Sequence, residues 1–272
     1  MITTWHSPYL AQLDCLPFSQ LEHLFALSQS PDWPNAAGLN RLSNQFSATQ
    51  QALPRFVCQS QLQPDGEYYE QIIFNHGHIP TRPDNWHDLF NGLIWLQFPR
   101  VKKLLNQQHV QDIDQYGVSP RTLRRNNLTH FDECGVVLAV EEGHEFLLDA
   151  LAQHQWHRVF VEHRAAWGQT IHPCVFGHAN LEMLLQPFIG LTGKWLGVSV
   201  APGFAALPLK QQRSVLDQKV AQLIERDDVL ARHHALLPVP LLGIPGYCAA
   251  NHSSDFYQNK DYFRPKSPVK SR

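Results

Sequence analysis

The sequence predicts an α+β fold: a mainly helical single domain with a small sheet and an extended, proline-rich C-terminal segment. Apolar residues recur at helical spacing along most of the chain, whereas β-prone runs are few, short and unevenly spaced. This pattern does not fit the regular alternation of a doubly wound parallel sheet. Towards the C-terminus, Pro238, Pro240 and Pro245 favour extended backbone over helix.

The chain is expected to form one domain over residues 1–265, followed by a disordered basic tail over residues 266–272. Hydrophobic residues make up 43% of the 272 residues and charged residues 17%, which is typical of a folded chain with a sizeable core. No internal repeat divides the sequence.

The first elements are short. Apolar spacing predicts helices over residues 18–28 and near residues 39–48, and a strand over residues 54–59. Residues 68–74 fit a helix or a strand, and the alternatives stay open. The clearest helix then begins after Pro83, with Asp84 as its expected N-cap. Pro99 kinks or restarts this helix on its way towards His109.

The second half of the chain mixes both element types. The expected strands cover residues 135–140, 174–176 and 195–200, and the expected helices cover residues 145–151, 156–167, 177–186 and 209–230. The aromatic-rich C-terminal segment is expected to wrap over the domain and to be pinned there by its side chains.

Composition excludes several classes of protein. The 22 Lys and Arg residues balance 24 Asp and Glu residues, so no basic field favours nucleic acid. No apolar run is long enough to span a membrane, and the N-terminus lacks a secretory signal, which favours a cytoplasmic protein. The five cysteines are far apart and odd in number, which argues against a disulfide framework. The 16 histidines are numerous enough to include metal ligands, because histidine is the commonest metal-binding side chain.

The first candidate cluster lies at the start of the helix after Pro83. There His87, Asp88 and Asn91 form a polar stripe beside an aromatic face, and Arg82 precedes them. A histidine and a carboxylate near a helix N-terminus suit metal ligation or general base catalysis. The alternative interpretation is a capped helix with a solvated polar face.

The second cluster is His178 and Glu182, which are four residues apart and so face the same way on a helix. They could share a metal ion. The second histidine of an H-E-x-x-H zinc helix is missing, so a simple helical His/Glu pair is the alternative interpretation.

The third cluster combines the acidic Asp132 and Glu133, just ahead of a predicted strand, with nearby arginines. The acidic residues could serve as metal ligands or catalytic groups, and Arg124 could clamp a phosphate or carboxylate. Arginines in such positions more often form internal salt bridges. The sequence contains no P-loop, no G-x-G-x-x-G, no G-x-S-x-G and no H-E-x-x-H motif.

Several segments together resemble a bacterial family catalogued as domain of unknown function 3025. They lie from about Tyr68 onward and comprise residues 81–91 with Trp95, 98–100 and Lys102, residues 128–133, residues 177–179 with Glu182, residues 242–246 and residues 263–265. The sequence departs from the family pattern at Asn126 and Asn127, where an acidic residue and alanine are usual, and at His130, which replaces an apolar residue. The resemblance implies a family and no particular mechanism.

Two hypotheses about function follow. In the first, the protein is a metal-assisted hydrolase of a small anionic substrate, with a divalent metal held by His87, His178 and Glu182. The expected catalytic residues are Asp88, Asn91, Asp132 and Glu133, and the expected substrate-binding residues are Arg82 and Arg124. In the second, a non-catalytic binding or assembly protein uses the same polar groups as helix caps and as a buried hydrogen-bond network.

Overall fold

A computed structural model describes residues 5–46, 53–62 and 66–266. The residues that form the predicted basic tail lie outside these ranges, except Lys266. The helices are α1 (Ser7–Leu10), α2 (Leu16–Phe25), α3 (Ala36–Phe46), α4 (Tyr69–His76), α5 (Trp86–Gln97), α6 (Pro99–Tyr116), α7 (Leu123–Cys134), α8 (Phe146–Ala152), α9 (His178–Leu184) and α10 (Leu209–Asp227). The strands are β1 (Arg55–Cys58), β2 (His78–Thr81), β3 (Gly135–Glu141), β4 (Ile171–Val175), β5 (Thr192–Val200) and β6 (Leu237–Pro240).

The mainly helical α+β architecture with a small sheet is confirmed. One sheet has the strand order β4-β3-β5-β6, with β3 parallel to β5 and the outer pairs antiparallel. A separate parallel pair joins β1 to β2. Every residue of β3 is buried, because this central strand has strands on both sides and helices over its faces.

Helix α5 runs through the core and sets the position of the site. Its residues from Leu89 to Gln97 are all buried, so packing holds the helix on every side along most of its length. The N-cap is Asn85, whose Oδ1 accepts a hydrogen bond of 3.0 Å from the amide of Asp88. The predicted cap, Asp84, lies outside the helix with a φ of 52°. Of the two expectations for Pro99, a kink or a restart, the restart is observed: α5 ends at Gln97 and α6 begins at Pro99.

Residues 68–74, for which a helix and a strand were both open, fall mostly within helix α4. Two other expectations are corrected. Residues 156–167 form only short turns of π and 3₁₀ helix rather than one α-helix. Asp132 and Glu133, for which the sequence predicted only a position just ahead of a strand, lie in the last turn of helix α7, and helical geometry sets the direction of their side chains.

The C-terminal segment wraps over the domain and is pinned by side chains. The hydroxyl of Tyr262 donates to the carbonyl of Leu191 at 2.5 Å and accepts from the amide of Leu242 at 3.0 Å. The amide of Asn251 is fully buried and donates to the carbonyls of Leu242 and Ile244 at 2.9 and 2.8 Å. These groups are therefore structural.

Candidate metal centre

Three helix ends meet at one point of the molecule. His87 lies in the first turn of α5, His178 begins α9, and Glu133 lies in the last turn of α7. α9 packs against both α5 and α7. The contact with α7 is close because Gly177 has no side chain: a Cβ at this position would lie 2.4 Å from the carbonyl oxygen of Glu133 and 2.4 Å from the amide nitrogen of Gly135.

The ligand atoms of these three residues face one another. Nε2 of His178 lies 3.0 Å from Nε2 of His87 and 3.4 Å from Oε2 of Glu133. Nε2 of His87 lies 3.7 Å from the same carboxylate oxygen. Three potential metal ligands therefore surround a single point, and the two histidines predicted to share a metal do come together.

Glu182 is hydrogen-bonded to the ring nitrogen of His87 that faces away from the cluster. Oε2 of Glu182 lies 3.1 Å from Nδ1 of His87. A carboxylate accepts hydrogen bonds, so Nδ1 is the ring nitrogen of His87 that donates to Glu182, and Nε2 is the ring nitrogen that faces His178 and Glu133. A carboxylate behind the imidazole is typical of metal-binding histidines. Glu182, expected as a ligand, instead contacts the far side of the His87 ring, and Glu133 is the carboxylate that lies with the two histidines in the group of potential ligands.

His178 is held in its neutral form by its surroundings. It is only 3% exposed, and burial lowers its pKa to about 3. The negative charge of Asp132 opposes this change, whereas the positive charge of Lys102 adds to it. A neutral imidazole is the form that binds a metal ion.

Glu133 is a carboxyl group in a partly desolvated position. Burial raises its pKa, the charge of His87 lowers it, and the charges of Asp132 and Glu182 raise it further. A cation at the centre of the cluster would remove the cost of ionising this group.

A buried lysine lies beside the cluster. Nζ of Lys102, on α6, donates to Oδ1 of Asn91 at 2.9 Å and to Oδ1 of Asp132 at 2.5 Å. The Asn91 amide in turn donates to the hydroxyl of Tyr69 at 2.8 Å. Burial would raise the pKa of Asp132, but the charge of Lys102 and the hydrogen bond from Lys102 act in the opposite direction, and the pKa is lowered. Asp132 and Asn91, both expected to be catalytic, thus position the Lys102 ammonium group.

Asp88 and Arg82 form a salt bridge with each other. The carboxylate of Asp88 accepts hydrogen bonds from Nη2, Nε and the backbone amide of Arg82 at 2.7, 3.0 and 2.6 Å. Both residues line the same cavity as the cluster, but the pair is formally neutral. The charge that Arg82 was expected to offer to an anionic substrate is already balanced.

Arg124 lies apart from this site. Its guanidinium binds the buried carboxylate of Asp112. Burial raises the pKa of Asp112, but the hydrogen bond and the charge of Arg124 lower it, and the pKa lies below its usual value. Arg124 does not line the cavity beside the cluster. Arg124 therefore forms an internal salt bridge, which was the alternative interpretation of the arginine cluster, and it contributes nothing to the lining of this cavity.

The cluster opens into a cavity of about 460 Å³. The three potential ligands line it together with Lys102, Asn91 and Asp132, and its apolar lining residues include Ile72, Ile73, Trp95 and Leu105. Lys102 and His109 both line it and lie seven residues apart on α6, which places them about 10 Å apart along the helix axis. The volume and the mixed lining suit a small organic molecule.

Sequence reasoning did not single out Lys102 and Tyr69 as site residues. A lysine is rarely buried, and Lys102 lies among the apolar positions of α6, where its side chain is only 4% exposed. Two signals were available: Lys102 belongs to the residues that resemble the family, and it lies three residues before Leu105 and seven before His109, which are buried on the same face of α6.

Comparisons with known proteins identify the family. A family model described as protein of unknown function, DUF3025, matches residues 54–267. No curated protein and no solved structure gives a match. No helix within the described residues is long and apolar enough to cross a membrane. The matched region holds all three potential ligands and covers well over half of the sequence: the chain belongs to the DUF3025 family.

Proposed function

We propose that His87, His178 and Glu133 bind a divalent transition metal ion and that the site catalyses hydrolysis of a small molecule. The observation that carries the proposal is the set of distances among the three ligand atoms, 3.0, 3.4 and 3.7 Å. Ligands about 2.0–2.1 Å from a tetrahedral ion lie roughly 3.3 Å apart, so the side chains already stand close to the spacing that an ion requires.

Zn²⁺ fits this set of donors best. Two imidazoles and one carboxylate are a common set for catalytic zinc, in which a fourth position holds water or substrate. Here the cluster faces the cavity, so the fourth position is open on the side from which a substrate would arrive. A bound Zn²⁺ would lower the pKa of a coordinated water molecule to about 7 and supply a nucleophile at neutral pH.

The residues around the cluster have separate roles in this proposal. Glu182 fixes the ring of His87. The ammonium group of Lys102, held by Asn91 and Asp132, stabilises negative charge that develops on a carbonyl oxygen. Asp132, whose carboxylate lines the cavity beside the cluster, is the group that we assign as acceptor for a proton released by the attacking water.

The charge of the cavity favours a neutral or cationic substrate over the anionic one expected from the sequence. Two cationic residues, Arg82 and Lys102, line the cavity together with five carboxylates: Glu67, Glu70, Asp88, Asp132 and Glu133. With neutral histidines the lining therefore carries a formal surplus of three negative charges, and one divalent ion leaves it negative. An anionic substrate would meet net repulsion.

An activity assay tests the proposal. The protein is stripped with a chelator, reloaded with Zn²⁺, and offered esters and amides in matched neutral, cationic and anionic forms. We expect turnover only with metal, preference for the uncharged and cationic forms, and a loss of about 100-fold in kcat for Lys102→Met. A protein shown to hold one ion per chain but inactive on the whole panel would support the alternative of a non-catalytic binding protein.

A further inference from the structure

Within the described part of the chain, a buried arginine on α10 has only neutral hydrogen-bond partners. Arg213 is 4% exposed. Its Nε donates to Oε1 of Gln97 at 3.0 Å, and its Nη2 donates to Oε1 of Gln20 at 2.5 Å. Nη1 makes no hydrogen bond to any residue in the described ranges. The guanidinium is thus held in a fixed orientation by two uncharged amides.

No carboxylate balances this charge directly. Among the described residues, none lies within ion-pair distance of Arg213. Asp217, one turn further along α10, is bound instead to the backbone amides of Arg100 and Val101 at 3.1 and 2.9 Å. Arginine stays protonated at all ordinary pH values, so burial without a counter-ion is costly. The missing partner points to an anion from solution.

A second cavity, of about 180 Å³, lies beside this guanidinium. Arg213 and His172 line it, and Nε2 of His172 is buried without a hydrogen-bond partner. Leu209, the first residue of α10, also lines it, which adds the positive end of a helix of 19 residues. The remaining wall is largely apolar and includes Leu16 and Phe204.

We propose that this cavity binds a small organic carboxylate. Arginine binds carboxylates through paired N–H groups, and the unused Nη1 is available for that contact. The ring of His172, whose buried Nε2 has no hydrogen-bond partner among the described residues, lies in the same wall. The apolar walls formed by Leu16, Phe204 and Leu209 suit a short hydrocarbon chain, which favours an acid such as butyrate over inorganic phosphate.

Binding is tested by calorimetry at constant ionic strength with sodium butyrate, sodium phosphate and sodium chloride as probes. We expect one butyrate per chain, and at least tenfold weaker binding by Arg213→Gln. Ala205→Trp, at an exposed position that lines the cavity, would block it from the rim and give the same loss without a core substitution. Arg226→Gln, on an exposed part of α10, is the control and should bind as the wild type does.

Two results would overturn the proposal. One is wild-type protein that binds no butyrate, and the other is tighter binding of phosphate than of butyrate. If Arg213→Gln fails to fold, Ala205→Trp decides the matter, because unchanged binding by that variant would place the anion elsewhere. Removal of the metal should leave butyrate binding intact, since none of the residues that line this cavity belongs to the metal centre.

Discussion

Nε2 of His178 lies 3.4 Å from Oε2 of Glu133, although β3, α8 and β4 separate the two residues in the chain. The close approach of α9 to the end of α7 makes this possible. Gly177 lies at the contact, and its amide donates to the carbonyl of Gly135 at 2.8 Å. The geometry of the metal centre therefore depends on a backbone contact that only glycine permits.

Gly177→Ala should damage both the fold and the site. The new Cβ would overlap backbone atoms, so we expect a loss of about 2–3 kcal/mol in the free energy of unfolding and weaker metal binding. Urea unfolding and metal titration measure the two effects. Gly38→Ala is the control: a Cβ there meets its nearest neighbour at 3.5 Å, in ordinary contact within a helix, and should be tolerated. Equal stability of the two variants would contradict this account.

Glu182→Gln should weaken metal binding without unfolding the protein. Loss of the carboxylate removes the charged acceptor that fixes the ring of His87, and such changes reduce metal affinity by about 10–100-fold. Competition with a fluorescent chelator gives the affinity. Glu225→Gln, on an exposed part of α10, is the matched control. Wild-type affinity in Glu182→Gln would show that His87 does not need this partner.

Lys102 and Asp132 should behave as a coupled pair. Lys102→Met leaves Asp132 without its cation, and Asp132→Asn leaves the buried ammonium without its anion. We expect each single variant to lose about 2 kcal/mol in the free energy of unfolding, and the double variant to lose less than the sum. Denaturant unfolding of all four proteins gives the coupling. Glu162→Gln, from the exposed pair with His157, should change stability by less than about 0.5 kcal/mol. Additive losses would contradict direct coupling.

Asp217 should make stability depend on pH. Burial raises its pKa from 3.8 to about 6, against the opposing effect of the amides of Val101 and Arg100. The pKa of Asp217 is higher in the folded state than in the unfolded state. The contribution of Asp217 to the free energy of unfolding is therefore full below about pH 4 and is lost as the pH rises through 6. Relative to Asp217→Asn, which keeps an acceptor, the wild type should lose up to about 3 kcal/mol between pH 4 and 8. Parallel stability curves for the two proteins would argue against a raised pKa.

The sequence predicts the elements of the site better than its arrangement. Helical spacing located α5 and the helix after Gly177, and the chemistry of His87 and His178 marked them as a possible pair. Which carboxylate faces which ring depends on how α7 and α9 pack, and local spacing carries no such information. Glu133 and Glu182 therefore exchange places relative to the expectation.

The ion pairs of the arginines could not be predicted from the sequence either. Arg82 and Arg124 are both engaged by aspartates, and neither pairing can be deduced from charge type alone. Burial of Lys102 contradicts the usual preference of lysine for solvent, and only the cavity between α4, α5 and α6 explains it. Properties that arise from several helices together required the structure.

Elemental analysis of tag-free purified protein tests the central claim most directly. The wild type is compared with a His87→Ala, His178→Ala double variant whose cooperative unfolding transition shows that it is folded. The account predicts close to one Zn²⁺, or another transition metal ion such as Mn²⁺ or Fe²⁺, per wild-type chain and none in the double variant. Absence of metal from both proteins, or retention of the metal by the variant, would contradict it.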